Sequence, residues 1–170
     1  LLVLFSCLFF LAFLIPWRFR HYCAVLGWTF IVLFLFAEIP YYLSINNMLY
    51  PVMAIISVPF LLITAKHLLA REMLVTQLST AAAVAFLIYA PFAYSPLGNW
   101  LISVVVGQTE WMLQAFGYPP VHEAWNMISR NNFRVEIILA CTGIQAIAIM
   151  LGVISAVKTT IRQKVLGFLL

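Results

Sequence analysis

The chain has 170 residues, of which 65% are hydrophobic and 8% are charged, against about 25% charged in a typical soluble domain. The mean hydropathy of +1.08 therefore predicts an integral membrane protein and excludes a soluble enzyme. The net charge of +4 does not indicate nucleic-acid binding, because the basic residues form no cluster with interleaved aromatics. Cys7, Cys23 and Cys141 have no C-x-x-C spacing, so no disulfide framework, metal site or other cofactor is predicted. Because the chain starts at Leu1 and ends in an apolar run at Leu170, we interpret it as a fragment of a longer protein.

The apolar segments predict an all-α fold, a polytopic membrane helical bundle with five transmembrane helices and the start of a sixth. Residues 1–170 are expected to form a single membrane domain. The predicted spans are 1–15 (short or tilted), Tyr22–Ser44, Met48–Leu69, Leu74–Leu97 and Val135–Val157, with a sixth opening at Val165–Leu170. The fifth is long enough to cross a hydrocarbon layer of ~30 Å at 1.5 Å per residue.

The segment at about 98–133 is predicted to be a loop outside the membrane. It contains tryptophans that suit the headgroup level, namely Trp100, Trp111 and Trp125. Trp100–Val106 and Glu110–Phe116 are expected to form interfacial helices, and Tyr118-Pro119-Pro120 a turn.

The charges predict the orientation. If the spans alternate in direction, one side of the membrane carries most of the basic residues, namely Arg18, Arg20, Lys66, Arg71, Lys158, Arg162 and Lys164. That side is cytoplasmic by the positive-inside rule. The 98–133 loop and Cys141, near the outer end of the fifth span, are therefore expected on the extracytoplasmic side.

The fifth span carries a face of polar and small residues. Steps of three and four from Arg134 give Ile138, Cys141, Gln145, Ala148, Gly152 and Ser155. Lipid cannot satisfy the Gln145 amide, so this face is predicted to turn towards other helices. Cys141 would lie about 10 Å inside Arg134 along the helix axis, where it could meet a substrate held in the membrane.

Cys141 is a candidate nucleophile whose activator is not evident. A thiol attacks as its thiolate, and burial among apolar groups disfavours that form unless a cation, a base or a helix N-terminus opposes it. Two turns inside a continuous helix, the dipole contributes little. Arg134, His122 and Arg130 are nearby in sequence, and none stands out. The simpler interpretations are that Cys141 fills a helix contact and that Gln145 joins helices by a hydrogen bond.

Phe133–Gln145, with its core Ala140-Cys141-Thr142-Gly143-Ile144, resembles the cysteine motif of the exosortase/archaeosortase family. The resemblance is specific over about residues 130–170, while the upstream spans are only compatible with it. It implies a membrane-embedded cysteine transpeptidase or thiol protease. The implied site residues are Cys141 as the nucleophile, with Thr142, Gly143 and Gln145 in supporting roles.

By the same resemblance, the enzyme cleaves a C-terminal sorting signal of exported surface proteins through an acyl-enzyme. The signal combines a Pro-Gly-Phe type motif, a transmembrane helix and a basic tail, and cleavage is coupled to lipid anchoring at an archaeal cell membrane. The implied partners are these exported proteins and a membrane lipid. The family's catalytic arginine and a later basic residue are expected beyond Leu170, so this chain alone is expected to be inactive.

Two alternatives stay open. In the first, the chain is a non-enzymatic membrane subunit in which Cys141 only packs. In the second, it is a transporter that uses Gln145, Glu136 and the proline-broken spans. Transport is disfavoured because no charged residue lies at mid-membrane and no inverted repeat is visible.

Overall fold

The computed structural model describes residues 1–118, 121–130 and 133–169, so the prolines of the predicted 118–120 turn lie outside the described residues. The described chain is mostly helical. Its helices are α1 (Leu2–Leu14), α2 (Arg20–Ala37), α3 (Ile39–Ser44), α4 (Leu49–Leu69), α5 (Met73–Tyr94), α6 (Pro96–Ala115), α7 (Ile144–Ala156) and α8 (Ile161–Leu169). The chain separates into two compact units, Leu1–Leu87 with Ile149–Leu170, and Ile88–Ala148. That residues 1–170 form one membrane domain stays a prediction.

Three helical segments of the described chain are long and apolar enough to cross a membrane: Arg20–Ser44, Leu49–Leu69 and Met73–Tyr94. They correspond to the second, third and fourth predicted spans. The first predicted span is the short apolar helix α1. The mostly helical membrane fold is therefore confirmed, whereas five spans and the start of a sixth are not.

The first unit is built on close packing of α1 against α2. Phe10 and Phe13 of α1 are fully buried. Ser6 Oγ donates a hydrogen bond to the Gly27 carbonyl oxygen at 3.0 Å. A Cβ added at Gly27 would come within 2.7 Å of the Phe10 ring, so glycine permits this approach.

Another close approach in the first unit joins α5 and α7. A Cβ added at Gly152 would lie 2.2 Å from the carbonyl oxygen of Ala81. The backbones can approach this far only because residue 152 has no side chain. Gly152 therefore serves close helix packing, one of the roles expected of small residues in this helix.

In the second unit, the structure has one long helix, α6, where two interfacial helices were predicted within residues 98–133. A single helix runs from Pro96 to Ala115, so that prediction is wrong. Ser95 caps it by accepting a hydrogen bond from the Leu97 amide at 3.3 Å, and Pro96 suits the first helical position because it lacks an N–H group. Whether this segment lies outside the membrane stays a prediction.

A three-stranded antiparallel sheet follows α6, an element that the all-α prediction missed. Its strands are β1 (Val121–Ala124), β2 (Met127–Arg130) and β3 (Phe133–Glu136), in the order β1-β2-β3. Ile128 of β2 and Ile137, directly after β3, are buried with Ile102 and Val106 of α6. The sheet therefore packs on one face of α6.

The long helix predicted over Val135–Val157 is wrong. After β3 the chain forms a short 3₁₀ helix, Leu139–Thr142, and α7 begins only at Ile144. Gly143 separates the two with a φ of +73°, a left-handed conformation that a continuous α-helix cannot contain. With 13 residues, α7 is about 20 Å long.

The last helix begins earlier than predicted, at Ile161 instead of Val165. A reciprocal capping box starts it. The Gln163 side-chain oxygen accepts from the Thr160 amide at 3.1 Å, and the Gln163 amide donates to Thr160 Oγ1 at 3.4 Å.

Candidate functional site

Cys141 lies within the 3₁₀ helix that precedes α7. Its amide donates a hydrogen bond to the Ile138 carbonyl oxygen at 2.9 Å, which closes the turn. The residue is exposed in the described chain. The expectation that Cys141 lies inside a long helix is therefore wrong, because the chain turns before α7 begins.

Thr142 and Gly143 join this turn to the helix. Thr142 Oγ1 donates to the Leu139 carbonyl oxygen at 2.7 Å and accepts from the Ile144 amide at 3.4 Å. The Gly143 carbonyl oxygen then accepts the amide of Ile147 at 3.1 Å, the usual spacing of an α-helix. Two consecutive residues thus end one turn and start the next helix.

The N-terminus of α7 consequently lies close to the thiol along the chain. Cys141 is three residues before Ile144, not two turns inside a helix. The helix dipole was expected to contribute little because Cys141 was placed two turns inside a helix, and that argument no longer applies. The first amides of a helix have no acceptor within it and, with the dipole, they favour an anion at this end.

Gln145 makes a hydrogen bond that the sequence did not reveal. Its Nε2 donates to Tyr89 Oη on α5 at 3.1 Å. This contact fits the interpretation of Gln145 as a residue that joins helices. Tyr89 was missed because it lies 56 positions away in sequence, and a polar side chain inside an apolar span was the only signal.

Of the basic residues considered as activators, Arg134 has a partner other than Cys141. Arg134 belongs to β3, and its Nε pairs with Glu123 Oε2 of β1 at 2.9 Å. The side chains of His122 and Arg130 lie outside what the structure describes. Within the described residues, no three His, Cys, Asp or Glu side chains are grouped to hold a metal ion.

Comparison with known proteins identifies the family. The profile of the transmembrane exosortases matches residues 1–170, the whole chain. The chain belongs to the transmembrane exosortase family. Archaeosortase A of Haloferax volcanii is similar to this exosortase-family chain, with 26% identity over 162 residues that cover 83% of this chain and 54% of the relative.

This exosortase-family chain spans about half the length of the curated relative that it matches. No solved structure matches it. The family resemblance inferred from Phe133–Gln145 is confirmed by both sequence comparisons.

Proposed function

We propose that this exosortase-family chain belongs to a membrane-embedded cysteine transpeptidase, with Cys141 as the nucleophile. The substrates are exported surface proteins with a C-terminal Pro-Gly-Phe type motif, a transmembrane helix and a basic tail. Cleavage is coupled to attachment of a lipid anchor on the extracytoplasmic side of an archaeal cell membrane. The observation that carries the proposal is an exposed thiol in a tight turn directly before a helix N-terminus.

The reaction divides into two acyl transfers. The Cys141 thiolate attacks the carbonyl carbon of the scissile peptide and forms a tetrahedral oxyanion. The C–N bond then breaks, the released amine takes up a proton, and a thioester remains on Cys141. A hydroxyl or amine acceptor attacks the thioester next and restores the thiol. Splitting one difficult step in this way is the advantage of a covalent intermediate.

The start of α7 supplies groups suited to this chemistry. The oxyanion needs hydrogen-bond donors that are already in place, and free amides at a helix N-terminus are such donors. Thr142 and Gly143 position this turn through the hydrogen bonds and the left-handed backbone described above. Their proposed role is positioning, because neither side chain needs to touch the substrate.

Gln145 lies in the first turn of α7, four residues after Cys141. Its amide is held by the Tyr89 hydroxyl, which leaves the Gln145 side-chain oxygen as an acceptor. Such an acceptor suits a substrate backbone amide beside the scissile bond. We therefore assign Gln145 to substrate positioning and Tyr89 to its support.

The packing alternative predicts a different environment for the cysteine. A structural cysteine in a membrane helix is normally buried as a small apolar residue. Cys23 is buried in this manner, whereas Cys141 is exposed in the described chain. The contrast favours a chemical role for Cys141.

Processing of a tagged substrate tests the proposal. The natural full-length protein is co-expressed with an exported reporter that carries the three-part tail, and removal of the tail is followed on blots. Cys141→Ser and Cys141→Ala should abolish removal, whereas Cys23→Ser should retain it. A covalent reporter adduct that depends on Cys141 and is released by hydroxylamine would identify the thioester. Unchanged processing by Cys141→Ala would refute the proposed mechanism.

The location of the thiol is tested separately. In a variant with Cys7→Ser and Cys23→Ser, a membrane-impermeant maleimide added outside intact cells should label Cys141. Labelling only after the membrane is opened would contradict an extracytoplasmic active site.

A further inference from the structure

The first unit contains a groove between α2, α4 and α5 that the proposed function does not use. Its volume is about 380 Å³, within the range of roughly 300–1,000 Å³ typical of small-molecule pockets. The apolar residues that form its walls are Trp28, Phe60, Ile63, Val75, Leu78 and Ala82. Phe60, Ile63 and Leu78 are more than half exposed, at 54%, 60% and 60%. The groove therefore opens sideways from the membrane helices and suits a hydrocarbon chain.

Basic side chains and imidazoles gather at one end of this groove. His67, near the end of α4, lines it. His21 precedes Trp28 by seven residues on α2, which places both on one face of that helix. Arg20 and Arg71 both lie close enough to His21 for their charges to interact with its imidazole. The start of α2 and the segment after α4 thus contribute basic groups to the same place.

Part of this basic group lacks hydrogen-bond partners among the described side chains. Arg20 Nε and His21 Nδ1 are buried and have no hydrogen-bond partner in the described part of the chain. The Arg20 guanidinium lies 5.2 Å from the centroid of the Phe13 ring, which holds it without neutralising it. The nearby carboxylate, Glu72, contacts His67 Nδ1 at 2.6 Å. Unbalanced charge beside an apolar region is unfavourable, and a bound anion would relieve it.

Arg71 occupies a backbone position that favours glycine. Its φ is 59°. The amides of Arg71 and Glu72 donate to the Leu68 and His67 carbonyl oxygens at 3.0 and 3.1 Å. This is the Schellman pairing that ends a helix, and glycine is its usual residue at this position. Arg71 therefore keeps a cationic residue at the end of α4, beside His67, at the expense of backbone strain.

We propose that the groove binds a membrane lipid whose anionic phosphate headgroup is held by Arg20, His21 and Arg71. One hydrocarbon chain of the lipid lies along the apolar walls, from His67 towards Trp28. The excess of basic residues puts this end of the groove on the cytoplasmic side. Anionic lipids of that leaflet attract basic side chains beside membrane helices. Charge complementarity at one end and an open apolar channel beyond it select a lipid as the occupant.

Lipid binding to the purified full-length protein tests the proposal. The protein in neutral detergent is mixed with a phosphoglycerol lipid or with a phosphocholine lipid that has identical acyl chains. Bound lipid is counted by native mass spectrometry, and inorganic phosphate alone is a third ligand. The phosphoglycerol lipid should bind about fivefold more tightly than the phosphocholine lipid, the size expected for one cation near a headgroup.

Variants separate the headgroup from the groove. Arg71→Gly should abolish the fivefold preference while keeping or raising the thermal stability, because glycine adopts a φ of 59° without strain. Ile63→Trp should weaken the binding of both lipids by filling the groove. Arg162→Gln is the matched control, since it removes an exposed charge predicted on the same membrane side, and it should keep the preference.

Three results would overturn the proposal. The first is equal binding of the two lipids, or a preference that survives Arg71→Gly. The second is an equal loss of preference in Arg162→Gln, which would indicate diffuse surface charge. The third is binding of inorganic phosphate as tight as that of the phosphoglycerol lipid, which would assign the site to a free anion.

Discussion

Gly143, the residue between Cys141's turn and α7, offers a clean test of the proposed site. Its φ is +73°, and a Cβ added there would meet nothing within 4 Å. Gly143→Ala therefore introduces backbone strain without a steric clash. A left-handed conformation costs a non-glycine residue roughly 1–2 kcal/mol, which is a factor of about 5–30 in an equilibrium. This cost should lower the free energy of unfolding by up to about that amount and should shift the turn towards rearranged conformations that relieve the strain.

Gly117 supplies the matched control. Its φ is +76°, and it too has no atom within 4 Å of an added Cβ. Gly117→Ala should therefore lower the thermal stability by a similar amount. Both variants are compared with wild type for thermal unfolding in detergent and for the initial rate of reporter tail removal. Gly143→Ala should lose about 5–30-fold in rate as the turn rearranges, whereas Gly117→Ala should retain the wild-type rate at temperatures where it is folded.

Asparagine at the same position makes the test sharper, because it tolerates the left-handed conformation better than alanine does. Gly143→Asn should therefore process the reporter faster than Gly143→Ala. If Gly143→Ala matched wild type in stability and rate, or if the asparagine variant were the slower one, the assigned role of this backbone conformation would be refuted.

Two further substitutions test packing and substrate positioning. Gly152→Ala would place a Cβ 2.2 Å from the Ala81 carbonyl oxygen, so thermal unfolding should show a loss of about 1–3 kcal/mol. The control is Gly107→Ala, because a Cβ added at Gly107 meets nothing within 4 Å. This variant should be neutral or stabilised by up to about 1 kcal/mol. Equal losses of stability in the two variants would contradict the close approach of α7 to α5 at Gly152. Tyr89→Phe removes the hydroxyl that accepts the hydrogen bond from Gln145, so the KM for the reporter should rise by up to about tenfold. An unchanged KM would show that this hydrogen bond has no role in positioning the substrate.

The sequence predicted the three long membrane helices because few structures can accommodate such segments. A run of about 20 apolar residues in a membrane satisfies its backbone groups most simply as a helix. Pro91 lies within α5 without ending it, which neighbouring groups in membrane helices permit. Hydropathy was therefore sufficient for α2, α4 and α5.

Hydropathy failed at Val135–Val157 because it does not distinguish an apolar strand from an apolar helix. The β-branched residues Val135, Ile137 and Ile138 favour extended backbone, and a Thr142-Gly143 pair before an apolar run is a typical boundary signal. Those local signals were outweighed by the length of the apolar run. The predicted nucleophile Cys141 was consequently placed on the wrong kind of backbone, a long helix instead of a 3₁₀ turn.

The missed helix α6 had a visible start. Ser95-Pro96 combines a capping side chain with proline at the first helical position. The tryptophans drew the interpretation towards an interfacial loop instead. The contact between Tyr89 and Gln145 had no comparable signal, because it depends on how α5 and α7 are placed in three dimensions.

The shortness of α7 has a consequence for the fate of the proposed thioester. The helix is about 20 Å long, while the hydrocarbon layer is about 30 Å thick. If Lys158 lies at the inner surface, as the charge pattern predicts, the sulfur would lie close to the outer headgroups, where water is less concentrated than outside the membrane. At this depth, the acyl group bound to Cys141 would encounter lipid hydroxyls and amines more often than water. We expect the transferred product to exceed the hydrolysed one when reporter products are separated by mass.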